Sequence, residues 1–144
     1  MTQPPILLVE DNDDDAELTV MAFRDANVAN PIVRVRDGVE ALELLRASGE
    51  SSSRPLPVVV LLDLKLPRVG GIEVLKAIRA AEATRHLPVV VLTSSAEDRD
   101  RLDAYSHLAN SYVQKPVDYD DFVTASRQLG LYWTVTNMSP PPGR

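Results

Sequence analysis

One stretch of the sequence decides the fold, Pro57-Val58-Val59-Val60-Leu61-Leu62-Asp63-Leu64-Lys65-Leu66-Pro67. Its unbroken run of branched apolar residues predicts a strand that is buried on both faces, as the central strands of parallel sheets are. The run ends at a carboxylate, Asp63. Because the carboxyl ends of the strands form the ligand crevice of an open parallel sheet, Asp63 is a candidate for chemistry. A lone Asp after a strand is also common as a turn or capping residue, so the neighbouring segments must decide its role.

Four further strand patterns alternate with helical patterns along the chain, and they begin at Ile6, Ile32, Val89 and Ser111. This alternation predicts five strands and five helices in a doubly wound parallel sheet with right-handed crossovers. The strands at Ile6, Val58 and Val89 are the most apolar and belong in the centre. The two mixed strands, at Ile32 and Ser111, belong at the edges. The flavodoxin-like order 2-1-3-4-5 satisfies this distribution.

The first strand runs directly into an acidic segment, Glu10-Asp11-Asn12-Asp13-Asp14-Asp15, which holds five carboxylates in six residues. Because these carboxylates repel one another, some of them must be offset by a cation or by a helix N-terminus. A helical pattern from Asp13 onward places the last three acids in the first turn of a helix. That pattern predicts a buried face formed by Leu18, Met21 and Ala22. Glu10 and Asp11 remain at the strand tip, where helix capping does not explain them.

Composition excludes several classes of protein. A chain of 144 residues, 44% of them hydrophobic, suits one compact domain, and the absence of cysteine excludes disulfides and thiolate metal sites. No apolar run reaches the length of a membrane span and no signal sequence is evident, so we expect a cytoplasmic protein with no membrane partner. The net charge of -6 argues against direct binding of nucleic acid, because such a surface repels phosphate groups.

The predicted topology brings together the tips of the central strands, which carry Glu10, Asp11, Asp63 and Thr93, with Lys115 reaching in from the neighbouring edge. Three clustered carboxylates form a hard oxygen site suited to Mg2+. A lysine and a hydroxyl group nearby are suitable phosphate ligands. The constellation therefore predicts phosphoryl chemistry assisted by Mg2+, with an Asp as the candidate nucleophile.

The last third of the sequence has two more features. Pro116 follows Lys115 at a strand exit, which makes their bond a candidate cis peptide. The segment Leu131-Tyr132-Trp133-Thr134-Val135 is unusually apolar for a chain end and precedes a proline-rich tail. We therefore expect one domain over residues 1–130 and a C-terminal extension over residues 131–144.

Four segments resemble the signature segments of the receiver domain of two-component response regulators. They are Leu8-Val9-Glu10-Asp11-Asn12, Leu61-Leu62-Asp63-Leu64-Lys65-Leu66-Pro67, Leu92-Thr93-Ser94-Ser95 and Tyr112-Val113-Gln114-Lys115-Pro116. They occur in the family's order, and the resemblance covers roughly residues 5 to 130. There are two local departures: Gly70 replaces the usual Asp or Asn before glycine, and the His107-Leu108-Ala109-Asn110 turn lacks the common glycine.

The resemblance implies a role for each acidic residue of the site. Asp63 would accept a phosphoryl group from a histidine kinase or phosphotransfer protein. Asp11 and Asp63 would bind Mg2+ directly, together with the backbone carbonyl of Lys65. Glu10 would act on the metal through a coordinated water.

The resemblance also implies a switch. Lys115 would pair with the phosphoryl oxygens, and Thr93 would donate a hydrogen bond to one of them. Tyr112 would turn inward when Thr93 moves. Such a protein signals by conformational change and protein contacts, and it is not an enzyme beyond its self-catalysed phosphorylation and dephosphorylation.

Three segments are similar to single-domain regulators that are paired with bacterial phytochrome kinases: the serine-rich loop before Pro57, the Asn110-Ser111-Tyr112 turn and the Leu129-Gly130-Leu131-Tyr132-Trp133 ending. Because we expect no output domain after the predicted receiver, we also expect signalling through its own surface, as a homodimer. The contact would use the fourth helix, fifth strand and fifth helix. The C-terminal residues expected to extend it are Leu131, Tyr132, Trp133 and Val135. The alternative is that Trp133 folds back onto its own domain.

Three other functions remain open. The chain could be a stand-alone receiver that serves a different kinase or phosphorelay. Haloacid-dehalogenase-type phosphatases also use a strand-end Asp, Mg2+, a hydroxyl residue and a lysine, but their usual second Asp corresponds to Lys65 here. A pseudo-receiver that only binds proteins would not need the complete set of site residues.

Overall fold

A computed structural model describes residues 4–50, 55–94, 97–115 and 118–133. Strands and helices alternate throughout, as the sequence predicts. The elements are β1 (Ile6–Val9), α1 (Asp13–Asp25), β2 (Ile32–Val35), α2 (Gly38–Glu50), β3 (Val59–Leu62), α3 (Gly71–Ala80), β4 (Val89–Thr93), α4 (Asp98–Ser106), β5 (Ser111–Gln114) and α5 (Tyr119–Leu131). Within these described ranges, no helix is long and apolar enough to cross a membrane.

The five strands form one parallel sheet in the order β2-β1-β3-β4-β5, which confirms the predicted topology. Strands β1, β3 and β4 are buried along their whole length, whereas β2 and β5 contain partly exposed residues. The register pairs Val9 with Leu62 and Leu62 with Val91, so β1 and β3 end at one level and β4 continues past it to Thr93. The residues that follow these strands therefore lie along a single edge of the sheet.

Helices cover both faces of the sheet. Leu7 and Val9 face a core cluster formed with α2, α3 and α4, which includes Leu75. Ile6 and Leu8 face a second cluster formed with α1 and α5. Because successive strand residues point to opposite faces, an uninterrupted apolar strand is needed to supply both cores.

Helix α1 buries a different face from the one that its sequence predicts. Leu18 and Met21 are exposed, so the predicted buried face was wrong at these two positions and right at Ala22. The buried residues of the helix are Ala16, Thr19, Ala22 and Phe23. Phe23 is the largest fully buried side chain of the domain, and packing this ring against the sheet turns Leu18 and Met21 towards solvent.

The C-terminal end of α5 also differs from expectation. Trp133 is 7% exposed and belongs to the core cluster of α1 and α5, whereas Leu131 and Tyr132 are 56% and 49% exposed. The close approach is allowed by Gly130, where an added Cβ would lie 2.3 Å from Cγ2 of Val28. Trp133 thus folds back onto its own domain, which is the alternative to the predicted dimer contact. Val135 and Pro116, for which a dimer contact and a cis bond were predicted, lie outside the described residues.

At the amino edge of the sheet, one arginine connects the segments that precede β4 and β5. Arg79 of α3 donates hydrogen bonds to the carbonyls of Leu108 (2.8 and 3.0 Å), Leu87 (2.7 Å) and Arg85 (3.2 Å), and to Oδ1 of Asn110 (3.0 Å). Leu108 has a φ of 68°, the left-handed conformation that glycine adopts most easily. The departure noted in this turn is therefore a leucine placed in a glycine-like conformation.

Candidate functional site

The acidic residues predicted to form the site do converge at the carboxyl edge of the sheet. Glu10 and Asp11 follow β1, and Asp63 follows β3. One carboxylate oxygen from each lies within 4.8 Å of the others. The sheet hydrogen bonds continue past the strands, since the Glu10 amide donates to Val35 (3.1 Å) and the Asp63 amide donates to Val9 (3.2 Å). The backbone on which these two carboxylates are mounted is therefore fixed.

Lys115 lies among these carboxylates, as predicted. Its Nζ donates a hydrogen bond to Oε1 of Glu10 and lies 3.7 Å from Oδ2 of Asp63. It also lies 3.6 Å from Oδ2 of Asp15. The sequence assigned Asp15 only to the first turn of a helix, where it does stand, and so missed its second role as a neighbour of the lysine. The amide of Lys115 donates to the Thr93 carbonyl at 2.8 Å, which fixes the position from which the side chain reaches in.

Carboxylates outnumber the ammonium group of Lys115 at this edge. Burial raises the pKa of Glu10 to about 6, with a further increase from the charge of Asp63, although the hydrogen bond from Lys115 acts in the opposite direction. Burial alone would lower the pKa of Lys115, but its hydrogen bond and charge interaction with Glu10 outweigh that effect and raise the pKa. One ammonium group thus faces several carboxylates, and the excess negative charge favours a bound cation.

Thr93 and Tyr112 stand near the site on adjacent strands. Thr93 is the last residue of β4 and is fully buried. Tyr112 on β5 pairs with Val91 and packs, partly buried, against the core cluster of α2, α3 and α4. The two predicted switch residues therefore belong to neighbouring strands, and the strand that carries Tyr112 leads directly to Lys115.

The loop after Asp63 is held from two sides. The amide of Lys65 donates to Oδ1 of Asp63 at 3.2 Å, and its Nζ forms an ion pair with Oδ2 of Asp100 on α4 at 3.4 Å. A Cβ at Gly71 would lie 2.5 Å from the carbonyl oxygen of Asp63, so only glycine allows α3 to start this close to the site. Nothing lies within 4 Å of a Cβ at Gly70, and the departure from the family pattern there has no steric consequence.

Two arginines lie beside the acidic segment, Arg34 in β2 and Arg36 directly after it. The sequence did not assign either of them to the site. Nη1 of Arg34 and Nη1 of Arg36 both contact Oδ1 of Asp13, at 2.9 and 2.6 Å. Their hydrogen bonds, that of Arg34 first, lower the pKa of Asp13. The alternation of apolar and charged residues from Ile32 to Arg36 predicts a half-exposed edge strand and by itself gives the arginines no role in the site. The available signal was the need of five neighbouring carboxylates for cations.

The donor set of Glu10, Asp11 and Asp63 fits a hard divalent cation. It consists of carboxylate oxygens alone, with one exposed member and two buried ones. Mg2+ and similar ions prefer such oxygens and fill their remaining positions with water or phosphate oxygens. The cluster can therefore hold a metal and still leave room for a phosphoryl group.

Known proteins resemble this chain in fold and in sequence. The chain is 45% identical over 137 residues to a probable methanogenesis regulatory protein, FilR2, of Methanothrix harundinacea (strain 6Ac), with 95% of this chain and 88% of that protein covered. The phosphorylated cyanobacterial phytochrome response regulator RcpA superposes with a TM-score of 0.87 at 34% identity, covering 97% of this chain and 100% of RcpA. The bacteriophytochrome response regulator AtBRR gives a TM-score of 0.74 at 46% identity, covering 96% and 100%.

The sequence profile of the response regulator receiver domain matches residues 6–127. This range contains all five strands, the acidic cluster, Lys115 and most of α5. Phosphorylation and Mg2+ binding are typical of this family, whose members act in signalling with histidine kinases. The convergence of Glu10, Asp11, Asp63 and Lys115 and the match over most of the chain lead to one conclusion: the protein belongs to the response regulator receiver domain family, and its relatives include phytochrome response regulators.

Proposed function

We propose that Asp63 accepts a phosphoryl group from the phosphohistidine of a sensor histidine kinase. The observation that carries this proposal is the position of the Asp63 carboxylate, which is nearly buried, belongs to the acidic cluster and lies 3.7 Å from Nζ of Lys115. An Asp63 oxygen attacks phosphorus while the phosphorus–nitrogen bond breaks. The electron pair of that bond returns to the imidazole nitrogen, which takes a proton, and an acyl phosphate forms on Asp63.

The proposed cofactor is Mg2+, held by Asp11 and Asp63 directly, by the backbone carbonyl of Lys65, and by Glu10 through water. When bound, the ion supplies positive charge for the oxygens of the transferred group. Lys115 supplies a second positive charge, and it is the only one that the chain itself brings within 4 Å of Asp63 in the described ranges. We propose that Lys115 pairs with one phosphoryl oxygen and that the Thr93 hydroxyl donates to another.

Self-catalysed phosphorylation and dephosphorylation are the only reactions that we propose. A phosphatase of the haloacid-dehalogenase type would need a general acid two residues after Asp63. That position is Lys65, whose ammonium group forms an ion pair with Asp100. We expect the reaction in the cytoplasm, where the ATP that charges a histidine kinase is available.

The test of the phosphoacceptor compares Asp63→Asn with Asp14→Asn in labelling by a small phosphoramidate in Mg2+. Asp14 is an exposed acid in the first turn of α1 and serves as the matched control. We expect the control and the parent to gain one phosphoryl group by intact-protein mass spectrometry, and Asp63→Asn to gain none. Labelling of Asp63→Asn at the parent's rate would overturn the proposal.

The kinase that we propose is a bacteriophytochrome, because RcpA and AtBRR are phytochrome and bacteriophytochrome response regulators. FilR2, which is 45% identical, bears a name that refers to methanogenesis, and it supports a second candidate in which a different kinase phosphorylates Asp63. Phosphotransfer profiling distinguishes the two: the chain is mixed with a panel of phosphorylated kinases, and the kinase that transfers its label within seconds identifies the partner.

We further propose that phosphorylation acts through Thr93 on Tyr112. The support is their position on adjacent, paired strands, and the hydrogen bond from the Lys115 amide, just after the strand of Tyr112, to the Thr93 carbonyl. Thr93→Ala should still accept a phosphoryl group but should not pass the change on. NMR spectra with a phosphoryl mimic check this, because parent-like shifts around Tyr112 in Thr93→Ala would contradict the coupling.

The homodimer that we propose uses α4, β5 and α5, extended by Leu131 and Tyr132. Exposed apolar residues on and just after α4 support this face, and they are Leu102, Tyr105 and Leu108. Truncation at Gly130 would remove Trp133 from the core, so point variants are the better test. We expect the parent to sediment as a dimer at tens of micromolar and Tyr132→Ser to dissociate, whereas Leu18→Ser on α1 should not. A monomeric parent, with or without a phosphoryl mimic, would refute the dimer.

A further inference from the structure

Arg34 of the edge strand β2 makes hydrogen bonds to both ends of the segment from Glu10 to Asp13. Nε of Arg34 donates to the carbonyl oxygen of Glu10 at 2.9 Å, and its Nη1 donates to Oδ1 of Asp13 at 2.9 Å. The two acceptors stand on either side of Asp11. One rigid guanidinium therefore connects both ends of the segment that carries the exposed carboxylate of the acidic cluster.

Burial separates Arg34 from its neighbour. The Arg34 side chain is 20% exposed, whereas that of Arg36 is 60% exposed and, within the described residues, forms no hydrogen bond with Glu10. Nη2 of Arg34 is buried with no acceptor in the described part of the chain. Because a buried donor without an acceptor costs stability, the two hydrogen bonds of Arg34 must offset this cost.

Both backbone hydrogen-bonding groups of Glu10, its amide and its carbonyl, are paired with β2. Its amide donates to the Val35 carbonyl at 3.1 Å, and its own carbonyl accepts from Arg34. The amide of Asn12 donates in turn to Oε2 of Glu10 at 3.3 Å. The backbone on both sides of Asp11 is thus restrained, and Arg34 is the only side chain that contacts both Glu10 and Asp13 in the ranges described.

We propose that Arg34 is a positioning residue for the metal site: it holds the segment from Glu10 to Asp13 so that the carboxylates of Glu10 and Asp11 face Asp63. This inference rests on the proposed Mg2+-dependent function. It adds a residue that touches neither the metal nor the phosphoryl group and acts through the backbone of the loop. Such outer groups orient the residues that bind a metal and strongly affect its affinity.

The charge of Arg34 works against this role, and the opposition makes the proposal testable. Removal of a positive charge near a cation site should strengthen cation binding by Coulomb's law. Loss of positioning should weaken it. The sign of the change in Mg2+ affinity therefore separates an arginine that holds the loop from one that contributes only charge.

The experiment is isothermal titration of Mg2+ into the full chain and into Arg34→Gln and Arg36→Gln. Both variants lose one positive charge near Asp13, but only Arg34→Gln loses the bond to the Glu10 carbonyl. We expect Arg34→Gln to bind Mg2+ about tenfold more weakly, and Arg36→Gln to bind it equally well or more tightly. Unchanged or tighter binding by Arg34→Gln, or equal weakening in both variants, would overturn the proposal.

A second measurement excludes general damage to the fold. In phosphoramidate labelling, Arg34→Gln should need more Mg2+ for half-maximal rate but reach nearly the parent's rate at saturating Mg2+, whereas a misfolded site would lose rate at every concentration. Arg34→Lys keeps the charge, but one ammonium group cannot reproduce the two guanidinium hydrogen bonds to Glu10 and Asp13. The Arg34→Lys variant should therefore also bind Mg2+ more weakly than the parent. If the parent itself binds no Mg2+, the proposed function fails, and that result is distinct from a parent that binds and an Arg34→Gln that matches it.

Discussion

Two partly buried cations lie at opposite edges of the sheet and differ in what surrounds them. Lys115, at the carboxyl edge, faces the carboxylates of Glu10, Asp63 and Asp15. Among the residues that the structure describes, Arg79, at the amino edge, donates only to neutral acceptors, three backbone carbonyls and one amide oxygen. Burial lowers the pKa of Arg79, whereas the carboxylates around Lys115 outweigh the effect of burial there and raise its pKa. Neutral acceptors fix a cation in place, and surplus carboxylates create a site that needs a further positive charge.

The strongest test of this contrast is Lys115→Met, which removes the cation at the carboxyl edge. We expect phosphorylation by a small donor at saturating Mg2+ to fall about 100-fold, because one preorganised donor to the transferred oxygens is lost. Mg2+ affinity should rise, since the carboxylates lose their counter-charge. Calorimetry and labelling rates measure the two effects. Lys76→Met, an exposed residue of α3, is the control, and weaker Mg2+ binding by Lys115→Met would contradict the contrast.

At the amino edge, Arg79→Met should reduce stability and leave the chemistry intact. The carbonyls of Leu87 and Leu108 lose a charged donor, and we expect the free energy of unfolding to fall by about 2 to 3 kcal/mol. Urea denaturation measures this, with Arg99→Met on α4 as an exposed control. The folded variant should be labelled at the parent's rate. A loss of rate without a loss of stability would show that the two edges are not separate in function.

Asp11→Asn and Asp14→Asn should differ in their effect on Mg2+ binding, as Lys115 and Arg79 differ in theirs. Asp11 belongs to the acidic cluster, so its substitution should weaken Mg2+ binding roughly tenfold, or about 1.4 kcal/mol. Asp14 stands in the first turn of α1, where a carboxylate stabilises the helix by about 0.3 to 1 kcal/mol and should not affect the metal. Equal losses of Mg2+ affinity in calorimetry would mean that net charge, not ligation, attracts the ion.

The smallest expected effect is a gain in stability from Leu108→Gly. Because Leu108 adopts a φ of 68°, glycine should relieve backbone strain and stabilise the domain by about 0.5 to 1 kcal/mol. Leu102→Gly is a matched control, since Leu102 and Leu108 are 68% and 65% exposed. Glycine inside α4 should destabilise by about 1 kcal/mol. Thermal unfolding should therefore shift in opposite directions, and a common shift would point to side-chain contacts as the cause.

Apolar run length explains why the sheet could be predicted from the sequence. A strand that contributes side chains to two cores has an uninterrupted run of apolar residues. The runs of β3 and β4 identify the centre of the sheet and hence the edge where Asp63 and Thr93 lie. The convergence of Glu10, Asp11 and Lys115 followed from topology alone. These inferences succeeded because each depends on strand order and not on side-chain packing.

Helical faces and side-chain pairs could not be predicted in the same way. In α1, two residue sets at helical spacing compete, and the packing of one ring, Phe23, decides between them. The contacts of Arg34 and Arg36 with Asp13 join positions more than twenty residues apart on different elements, and no local pattern encodes such a pair. The close approach of Gly130 to Val28 likewise joins two distant segments, and no local pattern predicts it.

The position of Trp133 has a spectroscopic consequence. It is the only tryptophan in the sequence, and it is buried on the side of the sheet that α1 and α5 cover. Tyr112 packs on the other side, against the cluster of α2, α3 and α4. Tryptophan emission therefore samples one layer of the molecule, and the proposed switch begins in the other. A change in that emission when the protein is phosphorylated would be optical evidence that the signal crosses the sheet.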